Sequence, residues 1–289
     1  MRATGCLRLL SDGRGSWHPL YDALLARIAG DAHCQADETS FRLQNRPHKR
    51  GCVWTFLTGK QIAYVFSGDR SGQTPSRVLG GTTGSLVVDA YTGYNDVTDV
   101  HGRTRCGCFS HARRYLFRAL DQAPEARDAL DMILELFRVE RDAMDQGLFG
   151  TDEHLAMRRA RSQPVLDQLR DWIDQQRPKH LPEGPMGAAL RYISNQWKRL
   201  TVFMNDSKIP IHNNASESAL RIIALERKNT LFFGHEQAAG NFSVLYSLVQ
   251  TAGRYGVNAL AYLEDVLTRV QSHPSSRIDD LLPDRWKPG

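Results

Sequence analysis

The spacing of hydrophobic positions changes along the chain. Residues 18–30, HPLYDALLARIAG, set Leu20, Leu24, Leu25 and Ile28 on one side of a predicted short helix that Gly30 stops. Residues 34–118 switch to short runs rich in β-branched and aromatic side chains. CQADETSFRL, CVWTFLTG and QIAYVFSG predict three strands, the last two joined by a hairpin around Lys60. A short helix is expected around Pro75–Leu79. The brief apolar run in SLVVDA predicts a strand buried on both faces, TRCGCFS a further strand, and HARRYLFRAL a helix. The order β-β-β-α-β-α-β-α implies an α/β fold, a mixed sheet flanked by helices.

From 121 to 205 the period is helical throughout. Leu130, Ile133, Leu134 and Phe137 form one stripe; Val165, Leu166, Leu169, Trp172 and Ile173 a second; Leu190, Ile193, Trp197 and Leu200 a third. Pro164, Pro178, Pro182 and Pro185 divide the stretch into separate helices. The stripes read as core. After the turn SKIPIHNN, a helix is expected from Ala215 to Lys228, then NTLFFG as a short strand or extended piece. Helices at 240–254 and 258–271 and an extended tail, HPSSRIDDLLPDRWKPG, complete the chain. The resulting division is 1–30, leader and short helix; 31–120, first part of the α/β core; 121–205, helical insertion; 206–240, end of the core; 241–289, C-terminal helices and tail.

Composition narrows the class. The 289 residues are 41% hydrophobic and 24% charged, which argues against long disorder. No apolar run approaches the roughly 20 residues of a membrane span, and the first residues lack a secretory pattern, so a cytoplasmic protein is expected. With 37 Lys+Arg against 32 Asp+Glu the formal charge is +5, compatible with a nucleic-acid partner and with many basic enzymes. The five cysteines, at 6, 34, 52, 106 and 108, do not suggest a disulfide framework; Cys34 and Cys52 read as core.

Three acids are the candidate chemistry. Asp37 lies in the first strand, and its neighbour Glu38 must face the opposite side. Asp89 ends the run Leu86-Val87-Val88, at the tip of a buried strand, where it either faces a ligand or caps the turn. Glu217 follows Asn213 and Asn214 in the first turn of a helix, where it either serves a site or assists capping. Together they could hold a pair of Mg2+ or Mn2+ ions, since hard cations take carboxylate oxygens and two such ions clamp the oxygens of a phosphodiester displacement. The wide gap between Asp89 and Glu217 holds the helical block, an insertion that need not separate the acids in space.

These motifs resemble the IS66 family of insertion-sequence transposases. The likeness is carried by ADETS at 36–40, LVVDAYTGYN at 86–95, CFSHARRYLF at 108–117, IPIHNNASESALR at 209–221, RKNTLFFG at 227–234, VNALAYLEDVL at 257–267 and RIDDLLPDRWKP at 277–288. It implies a ribonuclease-H-like fold and a DDE triad of Asp37, Asp89 and Glu217, which serve as both metal ligands and catalytic residues. It also implies strand cleavage at the ends of the element, followed by strand transfer. The implied partners are terminal-repeat and target DNA, a homo-oligomer on that DNA, and accessory proteins of the element, with no membrane. The pattern departs at Ser218, where the family usually carries Arg, and at Ser216, where Ala is usual. Family members also carry a substantial N-terminal region. The alternative is therefore a truncated, catalytically silent DNA-binding or complex-forming relic.

Arg113, Arg114, Arg221, Arg227 and Lys228 are candidate phosphate contacts, with a solvated face as the plain alternative. His111 is a candidate neighbour of the site. Cys106, Cys108 and His111 could form a zinc site in a hydrolase of another class, which the absence of a fourth ligand disfavours.

Overall fold

The computed structural model describes residues 17–44, 50–230 and 235–288, without the side chains of 224–230. Helix α1 (His18–Gly30) leads into strand β1 (His33–Arg42), then β2 (Arg50–Thr58) and β3 (Gln61–Ser67). Helix α2 (Gln73–Leu79) precedes β4 (Gly84–Val87), and β5 (Arg103–Cys106) precedes α3 (Phe109–Ala119). The five strands form a mixed sheet in the order β3-β2-β1-β4-β5. Helices α4 (Ala126–Asp145), α5 (Asp152–Met157), α6 (Gln163–Gln176) and α7 (Pro185–Leu200) follow. The chain continues through α8 (Asn214–Thr230), α9 (Glu236–Arg254) and α10 (Ala259–Arg269).

The chain divides into two compact units. The first comprises Met1–Gly84, Thr92–Arg103 and Ala215–Gly289; the second comprises Ser85–Tyr91 and Thr104–Asn214.

In the first unit β1 pairs antiparallel with β2, and β2 with β3. The expected hairpin is a two-residue turn, Gly59–Lys60, between the paired Thr58 and Gln61, with Gly59 at φ +49°. One face of this ribbon carries Phe41, Val53, Leu57, Ile62 and Tyr64, which pack against Ala219, Leu220 and Ile223 of α8. The outer edge of β3 is closed by hydroxyls from α9. Thr251 Oγ1 accepts from the Ile62 N–H at 3.2 Å and donates to the Ile62 carbonyl at 3.0 Å. Ser247 Oγ accepts from the Tyr64 N–H at 2.8 Å. The buried Arg103 guanidinium donates to the carbonyls of Ala29 and Asp31, completing the end of α1.

The second unit contains the helical block. Its core runs from Val87 and Cys106 through Phe109, Leu116, Leu130, Ile133, Leu136, Leu169, Ile173, Leu190 and Ile193, the stripes expected from the sequence. Leu134 is the exception and is 38% exposed. Arg158 lies fully buried at a π-type turn, Arg158–Ser162, and all five of its N–H groups find acceptors. Nε and Nη2 meet the two oxygens of Glu140 at 2.8 and 2.6 Å, Nη1 donates to the Phe203 and Asp206 carbonyls, and Nη2 also reaches Ile209 O.

Three expectations need correction. The segment between β4 and β5 is not an α-helix. It holds a 3-10 turn (Thr92–Tyr94) and a π-type turn (Asp96–Val100), a stretch with two glycines nearby and too few apolar positions for a packed helix. The tail is not extended: Ser275–Leu281 is a 3-10 helix whose Leu281 and Leu282 are buried, and Arg27 on α1 anchors it through Asp279 and Asp284. Trp17, grouped with the leader, is buried. Of NTLFFG, Asn229 and Thr230 continue α8; residues 231–234, like the remainder of the leader, lie outside the described residues.

Candidate active site

Asp37 and Glu217 belong to the first unit. The register sets Asp37 opposite Thr55, which stands opposite Tyr64. Side-chain alternation then puts Asp37 on the same sheet face as Phe41 and Tyr64, the face that α8 covers. Asp37 is half-buried, and its Oδ1 accepts the Glu38 N–H at 2.9 Å. Glu217 sits half-buried in the first turn of α8, where the positive end of the helix favours a carboxylate. The Tyr64 hydroxyl donates to the Ala219 carbonyl at 3.1 Å, fixing that turn of α8 against the sheet. Arg221, one helical turn beyond Glu217, is exposed. Ser218 is also exposed.

Glu38 faces the opposite side, as alternation requires, and there it is buried. Its Oε2 accepts from the Tyr94 hydroxyl at 2.6 Å and its Oε1 from the Arg70 guanidinium. Tyr94 packs edge-on against Trp54, with ring centroids 5.7 Å apart. The sequence reading missed this network. Its only signal was the presence of both residues within the motifs ADETS and LVVDAYTGYN.

Asp89 belongs to the second unit and lies two residues beyond β4, half-buried. Its Oδ1 accepts the Tyr91 N–H at 2.9 Å, so the turn-capping role is real. Arg105 on β5 supports the turn from below: its Nη2 donates to the Asp89 and Tyr91 carbonyls at 2.7 and 2.6 Å. Tyr192 on α7 stacks on Tyr115 of α3, centroids 4.5 Å apart. Burial pushes the Tyr192 hydroxyl above its ordinary pKa, and the charges of Cys108 and Asp89 add to the effect.

The start of α3 is tied to the segment that runs into α8. The Phe109 N–H donates to Ile211 O at 3.1 Å, the Asn213 N–H to Cys108 Sγ at 3.2 Å, and Ser110 Oγ to Asn214 Oδ1 at 2.8 Å. His111 is half-buried in that first turn, while Arg113 and Arg114 are exposed. The side chains of Arg227 and Lys228 lie outside the described residues. Cys34, Cys52, Cys106 and Cys108 are buried free thiols. Burial pushes the Cys106 thiol up to about 12, which opposes the thiolate a zinc site needs. Among the described residues Cys106 does not join Cys108 and His111 in a cluster of metal-binding size.

The five-strand mixed sheet with its helices makes this an α/β protein, with half-buried carboxylates on a strand, after a strand and at a helix start. Residues 9–241 match the transposase IS66 family, and residues 247–283 match the IS66 C-terminal element. The chain belongs to the IS66 family of transposases. Among curated relatives it is 29% identical over 297 residues to the uncharacterized protein y4hP of Sinorhizobium fredii, covering 93% of this chain and 53% of that one. It is 30% identical over 291 residues to the uncharacterized protein y4jD of the same organism, covering 93% and 56%. The chain thus spans about half the length of the curated relatives it matches. No helix among the described residues is long and apolar enough to cross a membrane.

Proposed function

We propose that this chain is the catalytic part of a DNA transposase, with a ribonuclease-H-like core split by the helical block 121–205. In this reading Asp37, Asp89 and Glu217 hold two divalent cations. The observation that carries it is the placement of Asp37 on the sheet face covered by the Glu217 helix. The donor chemistry fits Mg2+ or Mn2+. Asp37 and Asp89 each take one backbone N–H on one oxygen, which orients the carboxylate, and an ionised carboxylate offers about four lone-pair sites. When bound, the ions supply activation of the attacking oxygen and stabilisation of the leaving one.

The chain's own residues do the remaining work. Arg105 holds the Asp89 turn in place. The Tyr64–Ala219 hydrogen bond fixes the first turns of the Glu217 helix. Arg221, exposed on that helix, is placed to meet a phosphate. The substrates are element ends and target DNA. Joining two ends calls for more than one copy on the DNA, and accessory proteins of the element join that assembly.

The test is Mg2+- or Mn2+-dependent cleavage and strand transfer on duplexes carrying the terminal repeats. Asp89→Ala and Glu217→Gln are each expected to reduce the rate by at least a thousandfold, on the scale of lost electrostatic stabilisation. Wild-type rates in Asp89→Ala would refute the assignment. DNA binding without cleavage by the unaltered chain would favour the silent relic.

A further inference from the structure

Charge is segregated among the helices of the second unit. Helix α3 carries Arg113, Arg114 and Arg118, and α7 carries Arg191, Lys198 and Arg199; neither contains an Asp or a Glu. Helix α4 holds six acids against three arginines, and α6 three against one. Acids outnumber cations on α4 and α6, and several cations there are paired. Arg138 pairs with Glu135, Arg161 with Glu135 and Asp142, and Arg170 with Asp174. Among the described residues Arg113, Arg118 and Lys198 have no carboxylate partner.

Helices α3 and α7 run antiparallel as one face. The Gly107 N–H, just before α3, donates to the Arg199 carbonyl near the end of α7 at 2.8 Å. Eight residues along, Tyr115 stacks on Tyr192. Contact is close at Gly107, where a Cβ would stand 3.0 Å from Leu200. The outward side presents Arg113, Arg114, Phe117 and Arg118 from α3, with Phe117 60% exposed, and Arg191 and Lys198 from α7. Acids return only beyond the far ends, at Asp121 after α3 and Glu183 before α7. At the opposite end, beside Gly107, the Cys106 carbonyl accepts the Val88 N–H at 3.1 Å, which brings Asp89 to that end of the face.

We propose that the α3–α7 face is a track for the phosphate backbone of duplex DNA, leading along the tyrosine seam to Asp89. This rests on the transposase reading and assigns that reading a binding surface in the helical block. The 16 residues of α7 span about 24 Å, roughly seven phosphates of one strand. Cations in such a row displace condensed counterions and bind without regard to sequence. An exposed aromatic among them suits the sugar and base edges of frayed ends.

The test is binding of the full chain to a labelled duplex of arbitrary sequence, in chelator, across roughly 50 to 200 mM salt. In the variant Arg113→Gln, Arg118→Gln, Lys198→Gln the slope of log affinity on log salt should shrink by about 2 to 3, or about 0.9 per residue, with at least a hundredfold weaker binding near 0.1 M salt. Arg138→Gln on α4 should leave the slope unchanged. An unchanged slope in the triple variant overturns the track, while metal-dependent cleavage by the unaltered chain would keep the transposase reading intact. Equal affinity for polyglutamate and for duplex overturns the nucleic-acid assignment. Absence of both binding and cleavage in the unaltered chain sinks the two readings together.

Discussion

Arg158 shows how much one side chain organises. It reaches from the π-type turn to Glu140 and to three carbonyls between Phe203 and Ile209, the stretch that leads toward Asn213 and the Glu217 helix. Replacing it with Leu strips buried Glu140 of its guanidinium partner, leaving only His154 nearby, and leaves three carbonyls without their donor. Breaking such a buried pair costs about 3–5 kcal/mol. A fall of that size in unfolding free energy by denaturant titration is the expected result, and a change under about 1 kcal/mol would contradict the clamp. His154 lies 3.4 Å from the same Glu140, and burial together with Arg158 holds its pKa below the ordinary histidine value. The unfolded chain therefore binds the extra proton first. The stability that neutral His154 contributes is present above about pH 6.5 and is lost as pH falls through that value toward the lower folded pKa. Stability measured against pH should show this loss, and His154→Gln should remove that part of it. Neither residue stood out in the sequence. Periodicity reports apolar burial, and an arginine inside a helical run looks like solvated surface until its partners are known. The sheet face of Asp37 and the first-turn position of Glu217 were legible because strand alternation and helix starts follow directly from local pattern.

Elements were read most reliably where periodicity was long. Apart from the exposed Leu134, the three helical stripes and the three-strand ribbon lie where the pattern put them. The segment between β4 and β5 departs from the expected helix because it has too few apolar positions, and the C-terminal tail departs from an extended form because a tertiary anchor holds it. Arg27 reaches Asp279 and Asp284 from more than two hundred residues away. The pairing of α9 with β3 was also illegible, because a serine and a threonine on a helix carry no sign that they will meet a strand. Thr251→Val keeps the shape but removes both contacts to Ile62. The expected cost is about 1–3 kcal/mol, with faster hydrogen exchange at the Ile62 amide. An unaltered exchange rate there would show that the hydroxyl does not protect the edge. Gly84 is a backbone case: φ is +111° and a Cβ would sit 2.3 Å from the Ala32 carbonyl oxygen, so Gly84→Ala should lower the denaturation midpoint clearly.

At the scale of the molecule, the chain leaves the first unit and returns to it twice. Asp37 and Glu217 therefore sit on one compact unit, and Asp89 begins on the other. The sequence showed the long gap before Glu217 but not this interleaving, since contact pattern is not written in spacing. The modest +5 charge likewise hides an uneven distribution, with cations gathered on α3 and α7 and acids on α4 and α6. The closure of β3 by Ser247 and Thr251 has a consequence for the whole protein. Both residues fall within the segment that matches the IS66 C-terminal element. β3 ends the sheet, and an uncovered edge is a template on which a strand of another molecule can add. Residues of the segment that matches the C-terminal element thus occupy main-chain groups of β3 that an added strand would need.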